Sequence, residues 1–324
     1  MLKTYLIYLS VLTGLVSAPT FAQLNDESGF SGKIAFLSSI VSSESNFNMD
    51  TATKSGVLNS TGKTKTKFMF SPLGEINYTF GGNNDQQIFF GTSESDVAVG
   101  DLALEVGYKR ELQNGMIMSA SFLPTIMAGE TWEDPYLIEQ ERKITDVNGN
   151  AYRIRLDYIL GSDFSADLAY YTSDVDKDLL IGQNQELARD GKGVYYSLSY
   201  NYLLTQTSVI LPELIYSSFS ADGKAMSNTT QGIKVAYQHM MSRRSLSISA
   251  KYLQTRFNAG NSAFNDVIRK DSSYRFFAAY EFEDIMGWKN WSAISLLGYD
   301  ITSSNITFYN NNEYLVSVGI SYTF

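Results

Sequence analysis

The sequence predicts an all-β protein: a transmembrane, closed, antiparallel up-and-down β-barrel of about fourteen strands. Three observations carry this. Segments of roughly ten residues with apolar side chains at alternate positions recur along the chain, separated by Gly, Asn, Asp and Ser clusters. After the first 22 residues there is no charge-free apolar stretch long enough for a membrane helix, so any crossing must use strands. The last alternating segment runs to the final residue and ends on an aromatic. The composition agrees. With 22 tyrosines and 19 phenylalanines the chain is rich in aromatics, yet its mean hydropathy of −0.15 excludes a bundle of membrane helices.

The N-terminus reads as a signal peptide over residues 1–22. Lys3 precedes an apolar run from Tyr5 to Val16, and Thr20-Phe21-Ala22 places small residues at −3 and −1 of a cleavage site before Gln23. Residues 23–324 are then expected to form a single barrel domain, reached within about seven residues, which leaves no room for an N-terminal plug or hatch. Cysteine is absent, which excludes a disulfide scaffold, a cysteine zinc site and a lipid-bearing terminal cysteine. Cleavage removes Lys3 and no acid, so 24 basic against 34 acidic residues give a net charge of −10. That balance argues against nucleic acid as a partner.

Strands are expected near 30–42, 67–80, 86–92, 97–110, 116–129, 150–160, 164–174, 193–204, 208–220, 230–241, 245–257, 273–283, 291–301 and 313–324. The clearest is 150–160, with Tyr152, Ile154, Leu156, Tyr158 and Leu160 on one face and Arg153, Arg155 and Asp157 on the other. In a soluble sandwich the apolar face would be core; in a membrane barrel it faces lipid and the charged face lines the lumen. Tyrosines toward strand ends suit an interfacial aromatic girdle, and Trp288 and Trp291 are expected to anchor the periplasmic interface. Short connections at Gly81–Asp85, Glu111–Gly115, Gly161–Asp163, Thr205–Thr207 and Ser242–Arg244 alternate with long ones at 43–66, 130–149, 175–192 and 258–272. The even count puts both ends in the periplasm. The brief linker at 93–96 and the longer one at 284–290 fit less well, and one bent strand over 86–110 would reduce the count to twelve. The polar loop 43–66 has the length to fold inward. Pro72, Pro124 and Pro212 fall inside expected strands, where a proline needs a bulge or a strand terminus.

The C-terminal strand carries the most specific motif. Tyr314, Val316, Val318, Ile320, Tyr322 and Phe324 form one apolar face, and Ser317, Gly319, Tyr322 and Phe324 resemble the assembly signal of Gram-negative outer-membrane barrels. The resemblance implies periplasmic chaperones, the barrel assembly machinery and outer-membrane lipid as partners. More narrowly, Gly29–Phe36 and Asn290–Phe324 resemble an uncharacterised family of outer-membrane barrels, a domain of unknown function of the 2860 type. That resemblance brings no activity with it.

Catalysis and metal binding find little support. A barrel lipase would pair a serine nucleophile with a histidine base near the outer leaflet. His239 is the one histidine; it lies at a strand end beside a short turn, is followed by Met240 and Met241, and has no serine two residues away. No catalytic residue or cofactor is expected. Asp174, Asp176 and Asp178 alternate as calcium ligands do, but lack the sixth-position glycine and closing glutamate, and read as a solvated loop.

The informative feature is the face turned away from lipid. It is expected to carry Glu75, Glu105, Lys109, Arg153, Arg155, Asp157, Asp167, Glu213, Lys234, Lys251, Arg275, Glu281, Asp300 and Glu313. Charges of both signs imply water or pairing. The pore-lining candidates are Arg153, Arg155, Asp157, Asp167, Lys234, Lys251, Arg275 and Glu281. Arg153 and Arg155 on one strand, and Lys234, Lys251 and Arg275 on three consecutive strands, make two basic patches that would face each other in a channel preferring small anionic solutes. The alternative is a salt-bridged network with neighbouring acids, and net acidity would equally suit cations. Two functions follow: a porin-like channel for passive diffusion of small hydrophilic solutes, or a non-conducting structural or adhesin-type barrel acting through its loops. A transporter of hydrophobic solutes is disfavoured by the charged lumen.

Overall fold

The computed structural model describes Leu24 and residues 27–92, 104–124 and 129–324; the expected signal peptide, the 93–96 linker and the start of the strand at 97–110 lie outside these. Seventeen strand segments follow one another around one antiparallel sheet: β1 (Gly29–Ser45), β2 (Lys63–Phe80), β3 (Gln86–Thr92), β4 (Leu104–Glu111), β5 (Ile117–Pro124), β6 (Gly129–Trp132), β7 (Ile144–Asn148), β8 (Asn150–Asp157), β9 (Phe164–Val175), β10 (Gly191–Tyr200), β11 (Tyr202–Thr205), β12 (Ser208–Ala221), β13 (Asn228–Met241), β14 (Arg244–Asn261), β15 (Val267–Glu283), β16 (Trp291–Ser304) and β17 (Asn311–Thr323). β5 with β6, β7 with β8, and β10 with β11 each form one stave, so the ring has fourteen strands, the larger of the two expected counts. β17 pairs with β1 from Lys33↔Thr323 to Glu44↔Asn312, and Gly32 and Phe324 exchange backbone hydrogen bonds of 2.9 and 3.0 Å. Closure pairs the first strand with the last, so that neither is an edge.

Strand periodicity is realised inside out. On the last strand Tyr314, Val316, Val318, Ile320, Tyr322 and Phe324 are all exposed, whereas Glu313, Leu315, Ser317 and Ser321 between them are buried. The same alternation exposes Tyr152 and Ile154 on β8, Ile233 and Val235 on β13 and Tyr274 and Phe276 on β15. So continuous an exposed apolar surface is intolerable in water and is what a lipid-facing band requires. Gly319 has a steric reason: a Cβ there would collide with the Phe36 carbonyl of β1, the strand that closes the ring.

Several boundaries differ from expectation. The strand at 150–160 ends at Asp157, because Tyr158 and Leu160 adopt left-handed φ of 54° in a tight turn. They leave the lipid face to Tyr152, Ile154 and Leu156. The long connection 258–272 shrinks to residues 262–266, since β14 and β15 continue well past the membrane band as a protruding hairpin. The weak linker at 284–290 is a turn containing a short 3-10 segment, Ile285–Gly287. Each proline is tolerated for its own reason: Pro124 terminates β5, and Pro212 faces the interruption between β10 and β11. Pro72 sits mid-strand with no bulge, where β2 has β1 as its described partner and β3 joins only from Glu75 onward.

Candidate functional site: the barrel interior and its loop cap

The buried alternate positions carry the charges, and most of them are paired. Arg153 of β8 is held between two acids, binding Asp167 of β9 through Nε (2.9 Å) and Nη2 (2.5 Å), and Glu105 of β4 through Nη1 (3.3 Å). Asp167 thus receives the planar fork that only arginine offers. Arg155 pairs with Asp157 at 2.9 Å, near the short-turn end. Lys109 reaches Glu75 at 3.4 Å and lies over the Phe89 ring. Glu281 binds Lys33 at 2.5 Å. Lys33 was not singled out from sequence, because it lies on β1 and its acid on β15, 248 residues away. The barrel closure alone makes them neighbours.

One row of charges crosses the wall. Direct pairings run Glu213↔Lys234↔Lys251↔Arg275↔Asp300↔Glu313 over β12 to β17. Lys234 binds Glu213 at 2.6 Å and Arg275 binds Asp300 at 2.5 Å. The two basic patches expected from sequence are therefore largely neutralised: the salt-bridged alternative holds for Arg153, Arg155, Lys234 and Arg275. The interior is also less uniformly polar than expected, since Ala35, Leu37, Leu73, Phe277, Ala279, Ile294 and Leu296 form a buried apolar cluster on β1, β2, β15 and β16.

Above this interior, at the long-loop end, the connections pack on one another. Tyr136 of the β6–β7 loop, Leu180 and Leu187 of β9–β10, Ala225 of β12–β13, Phe264 of β14–β15 and Ile306, Phe308 and Tyr309 of β16–β17 form a second buried core, with Phe308 wholly inaccessible. The hydroxyls of Tyr136 and Tyr309 hydrogen-bond each other, and Asn261 Nδ2 donates to both at 2.9 and 3.0 Å. Burial raises the pKa of both tyrosines. In a ring of fourteen, the loop carrying Tyr136 and the loop carrying Tyr309 stand about half a circumference apart. Their contact requires a cap that crosses the mouth.

Arg142 ties the cap down. Its guanidinium donates to the carbonyls of Asn46, Thr51, Ala52 and Pro135 and stacks 4.3 Å from the Trp132 ring. Burial lowers its pKa to about 10. Loop 43–66 thus does turn onto its neighbours, as its length allowed.

The remaining candidates resolve simply. Among Asp174, Asp176 and Asp178, Asp178 is bound by Arg189 at 2.8 Å and Asp176 accepts from Asn148, and no metal-holding cluster occurs among the described residues. His239 sits at the end of β13, but it does have a serine: Ser208, directly opposite on β12, lies 2.8 Å from its Nδ1. Local spacing missed it because the contact is across strands. The pair shares the lipid-side parity of Ile233 and Val235, Ser208 is buried, and no carboxylate among the described residues hydrogen-bonds the imidazole.

An apolar exterior, a charged interior and a closed antiparallel sheet define a transmembrane β-barrel of porin-like architecture. Within that class, the chain belongs to the family described as protein of unknown function (DUF2860), whose model matches residues 29–323. No curated protein matches the sequence. Among solved structures it is similar to the CymD monoaromatic hydrocarbon channel (9% identity, TM-score 0.45, covering 93% of this chain and 89% of that one). It is also similar to OmpTdeltaL8, a loop-deletion mutant of an outer membrane protein of Vibrio cholerae (10%, 0.44, 91% and 100%). A third is the anion-selective porin from Comamonas acidovorans (11%, 0.41, 92% and 100%).

Proposed function

We propose that the mature chain, after removal of residues 1–22, is an outer-membrane channel for passive diffusion of small hydrophilic solutes, with no catalytic role. The observation that carries this reading is the buried, two-signed charge of the wall. A barrel filled only to be stable gains little from buried ion pairs, which packed apolar side chains replace at no loss, whereas a hydrated path uses them. The long-loop end faces the outside and the short turns face the periplasm. Lipid, periplasmic chaperones and the barrel assembly machinery, which would read Ser317, Gly319, Tyr322 and Phe324, are the partners this assigns. An anion preference rests on β14 rather than β8 in this reading, because Arg153 and Arg155 are committed to carboxylates.

The experiment is single-channel current of the refolded chain in a planar bilayer. Steady conductance is the expected result; silence at all voltages would move the reading to its alternative. That alternative, a non-conducting barrel working through its surface, is favoured by one observation: the loop core crosses the mouth. Deleting residues 133–143 separates the two. A cap that merely restricts the pore gives a larger current when removed, and a barrel blocked along its length stays silent.

A further inference from the structure

Among the inward cations described above, Lys251 is the one that the pairing leaves over. Each of the other lumen cations described above has an acid: Arg153 two, and Lys33, Lys109, Arg155, Lys234 and Arg275 at least one. Lys251 is 8% exposed and, among the described residues, its ammonium has no carboxylate within salt-bridge distance and no hydrogen bond, Glu213 and Asp300 acting on it only from further off. Its two neighbours in the row are themselves cations, Lys234 on β13 and Arg275 on β15. Like charges directly opposite one another are destabilising on a sheet, and here two such pairs are adjacent. The acids that relieve the outer two lie on the far sides, at Glu213 and Asp300.

Directly opposed residues stand about 5 Å apart, so the three cations span roughly 10 Å with a carboxylate just beyond each end. Glu313 follows Asp300 in the row on β17, about 15 Å from Lys251, so acids close both ends of the row. The three cations lie inside the row and the acids outside them, so its positive charge is centred on Lys251. A buried ammonium has three donors and a strong requirement for acceptors. Ser249, the adjacent inward position on β14, adds a hydroxyl.

We infer that Lys251, flanked by Lys234 and Arg275, is a lumen binding site for a singly charged oxyanion, the carboxylate or phosphate end of a small hydrophilic solute. The site rests on the channel reading for its purpose, and its occupancy is measurable without any current. The flanking carboxylates set the specificity: they repel a second negative charge and leave room for one oxyanion. The solute class passing this wall is thus a mono-acid rather than a polyanion.

The test uses the full refolded chain in detergent micelles, with lysines labelled at 13Cε and sodium acetate or inorganic phosphate titrated at constant ionic strength. The Lys251 resonance is assigned by its loss in Lys251→Gln, or in Lys251→Arg if the glutamine variant does not fold. The expected result is a saturable shift of this resonance alone, with acetate at least as tight as phosphate. Parallel bilayer recordings should show acetate slowing chloride current, with roughly tenfold weaker block in Lys251→Gln and block retained in Lys251→Arg. No shift in a conducting protein, or equal shifts of every lysine, overturns the site and leaves the channel standing. A saturable shift in a silent protein keeps the site and overturns the channel.

Discussion

The wall and the cap of this molecule bury opposite things. On the wall, Phe276 and Leu297 are more than half exposed while Glu281, Lys33 and Lys251 are buried; in the cap, the apolar Phe308, Ile306 and Leu180 are buried, alongside a few charges such as Arg142 and Asp134, while Lys177 lies outside. One chain therefore follows two solvent rules, and the rule changes where the strands leave the bilayer. The hydrophobic effect is the same in both; what differs is whether lipid or water meets the outer surface. The cap is in effect a small water-soluble core resting on a membrane barrel.

Removing cap core is the largest way to break this contrast. Phe308→Ala should cost the cap about 3–5 kcal/mol, exposing residues 133–143 to protease while the barrel keeps its heat-modifiable mobility on gels. Loss of both together would show that cap and wall fold as one unit. Arg142→Met should cost on the order of 3 kcal/mol by orphaning several buried carbonyls, and should raise conductance if the cap restricts the pore. Leu297→Arg, mid-span on the outer face, should destabilise the barrel by about 2–4 kcal/mol in lipid vesicles without altering protease sensitivity of the loops.

The pH response is smaller. Tyr136 and Tyr309 have raised pKa values when folded, so the opened cap deprotonates first and the closed cap loses stability as pH rises above about 10. Arg142, lowered by burial to about 10, acts in the opposite sense over the same range, one group against two. Protease sensitivity should therefore increase above pH 10, and a flat response would place both tyrosines in water. The smallest effect concerns Trp288 and Trp291: bilayer quenchers should reach both at the depth of the short-turn interface.

Much of the wall was legible beforehand because a strand's period is local. Residues 86–92, the last strand's outer face and the inward set from Glu75 to Glu313 follow from parity alone. Glycine and asparagine clusters marked the short turns for the same reason. The 258–272 connection was misread because its alternation mixes polar residues on both faces once the hairpin leaves lipid. Apolar periodicity reports only on the part that lipid wets.

By itself the sequence determined the architecture: alternation, an aromatic terminal strand and the absence of a membrane-length apolar run admit little else. Which charges cancel was decided by the tertiary structure. Register placed Lys234, Lys251 and Arg275 side by side and gave acids to the outer two; closure brought Lys33 to Glu281 across 248 residues. The cap likewise exists only in three dimensions, since its aromatics sit one or two to a loop with no period to betray them. Faces are set by local geometry, and partners by the closing of the ring.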